Sequence, residues 1–267
     1  MIQIFFTIIR IAILVFILFC LFLFFFQESM IFFTSPLRHS PAKFAENRLE
    51  IDHQGVMLRG WFLPAADPAN APLIIYYGGN AEEVSANLED HGLFGRDISL
   101  ALINYRGYGE SDGKPSQQAL FKDALFVYDY LTTQQKINPD QTVVMGRSLG
   151  SGVAVHVASQ RPVQRVILVT PFDSLTNVAG YHYPLVPIRL LLRHPFDSVS
   201  LAPTLTQPLL VLMAGQDTVV PNRFTKNLID QWAGPKEMVN IPEAGHNDIT
   251  AFPQYWQAMD LFLSPMK

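Results

Sequence analysis

The chain has 267 residues, a formal net charge of −4, and 16% charged against 49% hydrophobic residues. That balance offers no basic footprint for nucleic acid, and the length suits one domain with a substantial core once an apolar N-terminus is set aside. The single cysteine, Cys20, excludes an intrachain disulfide or thiolate metal site and reads as one more small hydrophobe in an apolar run.

Residues 11–26 carry no charge or strongly polar group, and the apolar character reaches back to Ile2 past Gln3, Thr7 and Arg10. That is enough helix to cross a hydrocarbon core of about 30 Å. A cleaved signal would end in small residues, whereas this run ends Phe24-Phe25-Phe26-Gln27-Glu28. Bulky Phe19 before Cys20 also argues against a lipoprotein signal. The expectation is an uncleaved single-pass anchor over residues 1–30, followed by one domain over 31–267. Arg10 on one side and Arg38, His39 and Lys43 on the other nearly balance, which leaves the side of the domain open.

Residues 31–40, with Pro36 inside and Pro41 just beyond, read as a linker. Segments 48–52 and 57–63 read as strands of a hairpin around His53-Gln54-Gly55. From Pro72 the pattern alternates. Strand 73–77 precedes a polar, helix-like segment 81–94; strand 99–104 precedes helix 116–134, where Leu120, Ala124, Val127 and Leu131 fall near helical spacing. Strand 142–145 then breaks into Gly146-Arg147-Ser148-Leu149-Gly150 and continues as helix 149–158. Strands 166–170 and 209–214, helix 222–232, strand 237–241 and helix 250–262 complete the order. Such alternation predicts an α/β fold, a mostly parallel sheet with helices on both faces. Ligands then sit beyond the carboxyl ends of the strands.

Glycines on either side of Ser148 mark a strand-to-helix reversal too tight for side chains, which strains the serine and lifts its hydroxyl above the sheet. The five-residue pattern arises by chance too often to stand alone, so its context decides. A serine hydroxyl needs an adjacent base, and the base needs an orienting carboxylate. On this kind of sheet the chain order is Ser, then Asp or Glu, then His. Asp217 follows strand 209–214 and His246 follows strand 237–241, which supplies that order. Taken singly, Asp217 reads as a turn or cap residue and His246 as a surface histidine. Together they read as catalytic partners of Ser148. His39, His53 and His91 precede the nucleophile, His156 lies in a packing helix, and His182 and His194 lie in an insert. Glu243 and Asp248 share the loop of His246 and reach its far ring nitrogen awkwardly. Two backbone N–H groups are expected to form an oxyanion hole, those of Leu149 and Asn80. Gly78-Gly79-Asn80-Ala81 equally suits a plain strand-to-helix turn.

Further segments carry a resemblance: Leu58-Arg-Gly-Trp-Phe-Leu-Pro64, Gly79-Asn80-Ala81, Asn104-Tyr-Arg-Gly-Tyr-Gly-Glu-Ser-Asp-Gly-Lys-Pro-Ser116, the elbow, Pro171-Phe172-Asp173-Ser174, Gly215 to Pro221, and Gly245-His246. From about Pro36 onward the chain resembles the α/β-hydrolase superfamily, in particular membrane-anchored α/β-hydrolase-domain proteins grouped with serine aminopeptidase-like hydrolases. The resemblance implies an α/β-hydrolase fold with a short lid insert at about residues 171–207. It implies a serine hydrolase that cleaves carboxylic esters or thioesters through an acyl-enzyme, with Ser148, Asp217 and His246 catalytic and no metal or organic cofactor. Gly78 departs from it, because relatives usually carry histidine there. Tyr105 and Arg106 belong to the signature and read as a structural turn. In the insert, the run from Tyr181 to Arg193 suits either a surface helix packed by leucines or an apolar wall for an acyl chain near the bilayer. The expected substrate is a small-molecule or lipid-like acyl ester, with the membrane met through the N-terminal helix. A serine aminopeptidase or amidase is the alternative; a silent membrane-tethered scaffold is disfavoured because no member of the Ser, Asp and His set is missing. With every catalytic element after Pro72, deleting about thirty residues is expected to leave an active domain.

Overall fold

The computed structural model describes residues 1–37, 41–68, 70–94, 97–134, 137 and 139–264. Arg38, His39 and the end of the expected linker lie outside the described residues. Helix α1 (Ile2–Ile31) is long and apolar enough to cross a membrane, by length and composition. Eight strands follow: β1 (Arg48–His53), β2 (Val56–Leu63), β3 (Leu73–Tyr77), β4 (Ser99–Ile103), β5 (Thr142–Arg147), β6 (Arg165–Val169), β7 (Leu209–Ala214) and β8 (Lys236–Ile241). They form one sheet in the order β1-β2-β4-β3-β5-β6-β7-β8. The β1–β2 and β2–β4 pairs are antiparallel and the rest parallel. The hairpin turns on Gln54 and Gly55, whose φ angles of 58° and 80° suit a two-residue turn with both central residues left-handed.

Alternate strand residues point to opposite faces, so a sheet covered on both sides needs apolar side chains throughout. One face gathers Leu73, Ile75, Val144, Leu168 and Val211 under α2 (Gln117–Gln134) and α3 (Leu149–Gln160). The other gathers Ile74, Met145, Ile167 and Leu212 under α7 (Pro253–Phe262). Leu120, Ala124, Val127 and Leu131 of α2 all join the first core, as their spacing implies. Helix α6 (Asn222–Gln231) flanks β7, and the insert holds α4 (Leu175–His182) and α5 (Ile188–Leu191).

Most expected boundaries shift by one or two residues. The exception is segment 81–94, which forms two 3₁₀ turns, Val84–Asn87 and Glu89–Leu93, and no α-helix. Side chains capture the backbone donors that a helix would use. Asn104 Oδ1 accepts from Val84 N–H at 3.1 Å, and Glu83 Oε1 accepts from Ser85 N–H at 3.2 Å. Helix α7 starts at Pro253, later than expected, because the residue before a proline stays extended; Phe252 has φ −95° and ψ 130°.

Candidate active site

Ser148 links β5 to α3 with φ 49° and ψ −116°, a conformation that costs energy for any residue with a Cβ. Its neighbours explain why the chain accepts it. A Cβ on Gly146 would lie 2.2 Å from the Gly150 carbonyl oxygen, and one on Gly150 would lie 2.0 Å from the Tyr77 carbonyl oxygen. Only glycine fits on either side of this turn.

The loop after β8 brings His246 Nε2 to 2.9 Å from Ser148 Oγ. The loop after β7 brings Asp217 Oδ2 to 2.7 Å from His246 Nδ1. The second carboxylate oxygen is fixed by its own loop, where Oδ1 accepts from the N–H groups of Val219 at 2.9 Å and Val220 at 2.7 Å. A proton on Nδ1, facing the carboxylate, leaves Nε2 free to accept from the serine hydroxyl. The side chains of His246 and Asp217 are 7% and 2% exposed, so the dielectric between them is low. Asp248 caps the loop instead, its Oδ1 accepting from Gly245 N–H at 2.7 Å.

Asn80 and Leu149 border the same cavity as Ser148. Leu149 opens α3, where an N–H has no intrahelical carbonyl. The Asn80 side-chain oxygen is committed to structure, with Oδ1 accepting from Phe33 N–H, Ala81 N–H and Tyr108 Oη–H at 2.9–3.0 Å. The sequence reading missed the groups that hold this loop. Glu82 Oε2 accepts from Gly79 N–H at 2.6 Å and from Arg147 Nη1 at 3.2 Å, while Oε1 accepts from Tyr76 Oη–H at 2.7 Å. Arg147 Nη2 reaches Asn247 Oδ1 at 3.1 Å. Burial is the largest single influence and opposes the Arg147 charge, but Glu82, Tyr76 and Tyr255 together hold the guanidinium above its ordinary pKa. An arginine at the end of an otherwise apolar strand was the available signal.

The signature residues also find places. Tyr105 Oη–H donates to the Gly78 carbonyl at 3.0 Å, and burial pushes its phenol well above the usual range. A Cβ on Gly78 would lie 3.2 Å from Val84 Cγ1, so the loop is tight at the position that departs from the resemblance. Arg106 pairs with Asp123 of α2, which also meets His53 Nδ1 at 2.6 Å. Its role is structural.

A family profile described as alpha/beta hydrolase fold matches residues 72–192. An uncharacterized protein of Mycobacterium tuberculosis strain H37Rv is 37% identical over 195 residues, covering 73% of this chain and 69% of that one. The chain belongs to the α/β-hydrolase family. The alpha/beta hydrolase domain-containing protein WAV2 of Arabidopsis thaliana is 29% identical, with 78% and 75% of the two chains covered. Among solved structures, an acetyl xylan esterase from Paenibacillus sp. R4 superposes with a TM-score of 0.63 at 19% identity, covering 78% of this chain and 79% of that one. Est1E from Butyrivibrio proteoclasticus, with ferulic acid bound, gives 0.65 at 18% identity, over 80% and 97%. At these identities the superpositions establish fold.

In this α/β-hydrolase a cavity of about 250 Å³ borders Ser148 and is walled by Ile31, Leu175, Val178, Leu192 and Val220. Its first wall belongs to α1, which the sequence reading kept apart from the domain. Gln27 is 6% exposed; its Nε2 donates to the Leu191 carbonyl at 3.0 Å and its Oε1 accepts from Arg193 N–H at 2.7 Å. Phe32 is 4% exposed and packs edge-on against His194 and Phe196. A cut after residue 30 therefore falls inside a packed contact.

Proposed function

We propose that this α/β-hydrolase is a serine hydrolase that cleaves carboxylic esters or thioesters through an acyl-enzyme. The observation that carries the reading is the relay from Asp217 through His246 to a strained Ser148, at 2.7 and 2.9 Å. His246 Nε2 takes the hydroxyl proton as Ser148 Oγ attacks the substrate carbonyl, and Asp217 stabilises the imidazolium that forms. The backbone N–H groups of Leu149 and Asn80 receive the developing oxyanion. The imidazolium then protonates the leaving alcohol or thiol. Water, deprotonated by His246, attacks the acyl-enzyme, releases the acid and restores the serine.

An acyl ester or thioester is favoured over a peptide N-terminus because no aspartate or glutamate among the described residues lines the cavity to hold a free amine. We further read α1 as a retained membrane span, since its last turns pack on the insert. The test is hydrolysis of short p-nitrophenyl esters together with labelling by a fluorophosphonate probe. Ser148→Ala should lose both, and labelling retained in that variant would place the nucleophile elsewhere. Aminoacyl amides turned over faster than acyl esters would favour the peptidase.

A further inference from the structure

We infer that the end of α1 is part of the acyl-binding wall, and that one long acyl chain of a bilayer-resident ester reaches Ser148 along the seam between α1 and the insert. This rests on the serine hydrolase reading above. Three observations lead to it. The cavity beside Ser148 takes Met30 and Ile31 of α1 into its lining, together with Leu192 of the insert. A second, apolar groove of about 350 Å³ lies between Phe16, Ile17, Cys20 and Phe24 of α1 and Leu190 and Leu191 of α5. The two are neighbours along both walls: Leu190 and Leu191 face the groove while Leu192 faces the cavity. On α1, Cys20, Phe24, Gln27 and Ile31 fall on one helical face.

Gln27 stands between groove and cavity and fastens the walls to each other through Leu191 and Arg193. From Phe16 to Ile31 the helix rises about 22 Å, more than one leaflet of a hydrocarbon core about 30 Å thick. The polar level is marked at the same point: the Arg193 guanidinium lies 5.3 Å from the Phe24 ring centre and 3.3 Å from Glu28. Leu190, which lines the groove against α1, is 83% exposed, and Leu185 of the same insert is 85% exposed. Those side chains suit lipid. The ester carbonyl would then meet Ser148 just above this level, with its chain trailing back toward the bilayer. At about 250 Å³ the cavity is below the range of roughly 300–1,000 Å³ for drug-sized ligands, so it takes one chain.

The experiment uses the full-length chain in nanodiscs and p-nitrophenyl acetate, octanoate, laurate and palmitate. Ile31→Trp, which fills the inner wall, should lower the ratio of laurate to acetate kcat/KM about tenfold. Met30→Trp, at a residue 44% exposed and therefore tolerant of bulk, should shift the ratio in the same direction. Leu190→Glu in the groove should slow palmitate presented in phosphatidylcholine vesicles more than acetate presented in solution. Fluorophosphonate labelling of Ser148 is measured in each variant, because the small probe reports the nucleophile without needing the acyl wall. Chain-length profiles that match wild type in all three variants, with labelling intact, overturn the inference and leave the serine hydrolase reading standing. Labelling that persists in Ser148→Ala removes the reading on which it rests.

Discussion

Arg147 meets Glu82 with Nη1 3.2 Å from Oε2, and this one pair joins three loops of the candidate site. Glu82 holds the Gly79 N–H of the loop after β3, Arg147 belongs to the elbow, and the same guanidinium reaches Asn247 beside His246. A largely buried ion pair adds little net stability over an apolar pair, but removing one partner strands the other. What the pair supplies is relative position. Glu82→Gln should therefore lower kcat more than it raises KM, by up to about a hundredfold, the scale of a misplacement near 1 Å. Arg147→Met should act alike, and Arg147→Lys should recover part of the loss. Steady-state kinetics with a short ester check this; a change in KM alone would show that the pair serves binding.

Asp217 gives a sharper expectation. Asparagine can still accept from Val219 and Val220, so the loop should keep its shape. An amide N–H facing His246 Nδ1 would impose the wrong tautomer and leave Nε2 protonated toward Ser148. Asp217→Asn should cost about 10⁴-fold in kcat with KM little changed. A loss under about tenfold, with stability unchanged, would remove Asp217 from the relay.

That Ser148, Asp217 and His246 lie in loops at strand ends was legible in the sequence, because β5 and β7 carry continuous apolar runs and the more polar β8 is followed by the Gly245-His246 loop. The parallel sheet was legible for the same reason. Segment 81–94 was not, since its polar residues fit a helix until Asn104, distant in sequence, takes the Val84 N–H. The contact of Gln27 with Leu191 joins residues 164 apart, and no local period announces it. Glu82 looks like an ordinary surface charge until folding brings three loops around it, and only the apolar strand before Arg147 hints at its partner.

Asp90 supplies a test of pH dependence. Burial first, and the nearby Glu82 second, raise its carboxyl from 3.8 to about 6. The native state therefore holds a proton that the unfolded chain has lost between those values, so stability falls as pH rises through this window. Above about pH 6 the ionised group is a standing penalty; below 3.8 both states are protonated and the penalty is absent. Asp90→Asn should raise Tm relative to wild type above that pH, with the gain fading toward 3.8. Paired thermal melts across the range isolate this group from the other carboxylates. A gain that is independent of pH would show that another contact was changed.

The boundary of the catalytic unit is the remaining expectation. Phe32 fills a buried site against Phe196 and His194, and Phe33 N–H donates to Asn80 Oδ1 at 3.0 Å. Truncating a buried phenylalanine costs about 3–5 kcal/mol, transfer and cavity terms together. A chain that begins at Phe24 keeps Gln27 and Phe32 in place, whereas one that begins at Thr34 loses both. The shorter chain should unfold at lower urea concentration, and Phe32→Ala in the longer one should reproduce most of that loss. With Asn80 freed from Phe33, the shorter chain should also hydrolyse acetate esters more slowly. Equal urea midpoints and equal rates for the two chains would mean that α1 is a tether and nothing more.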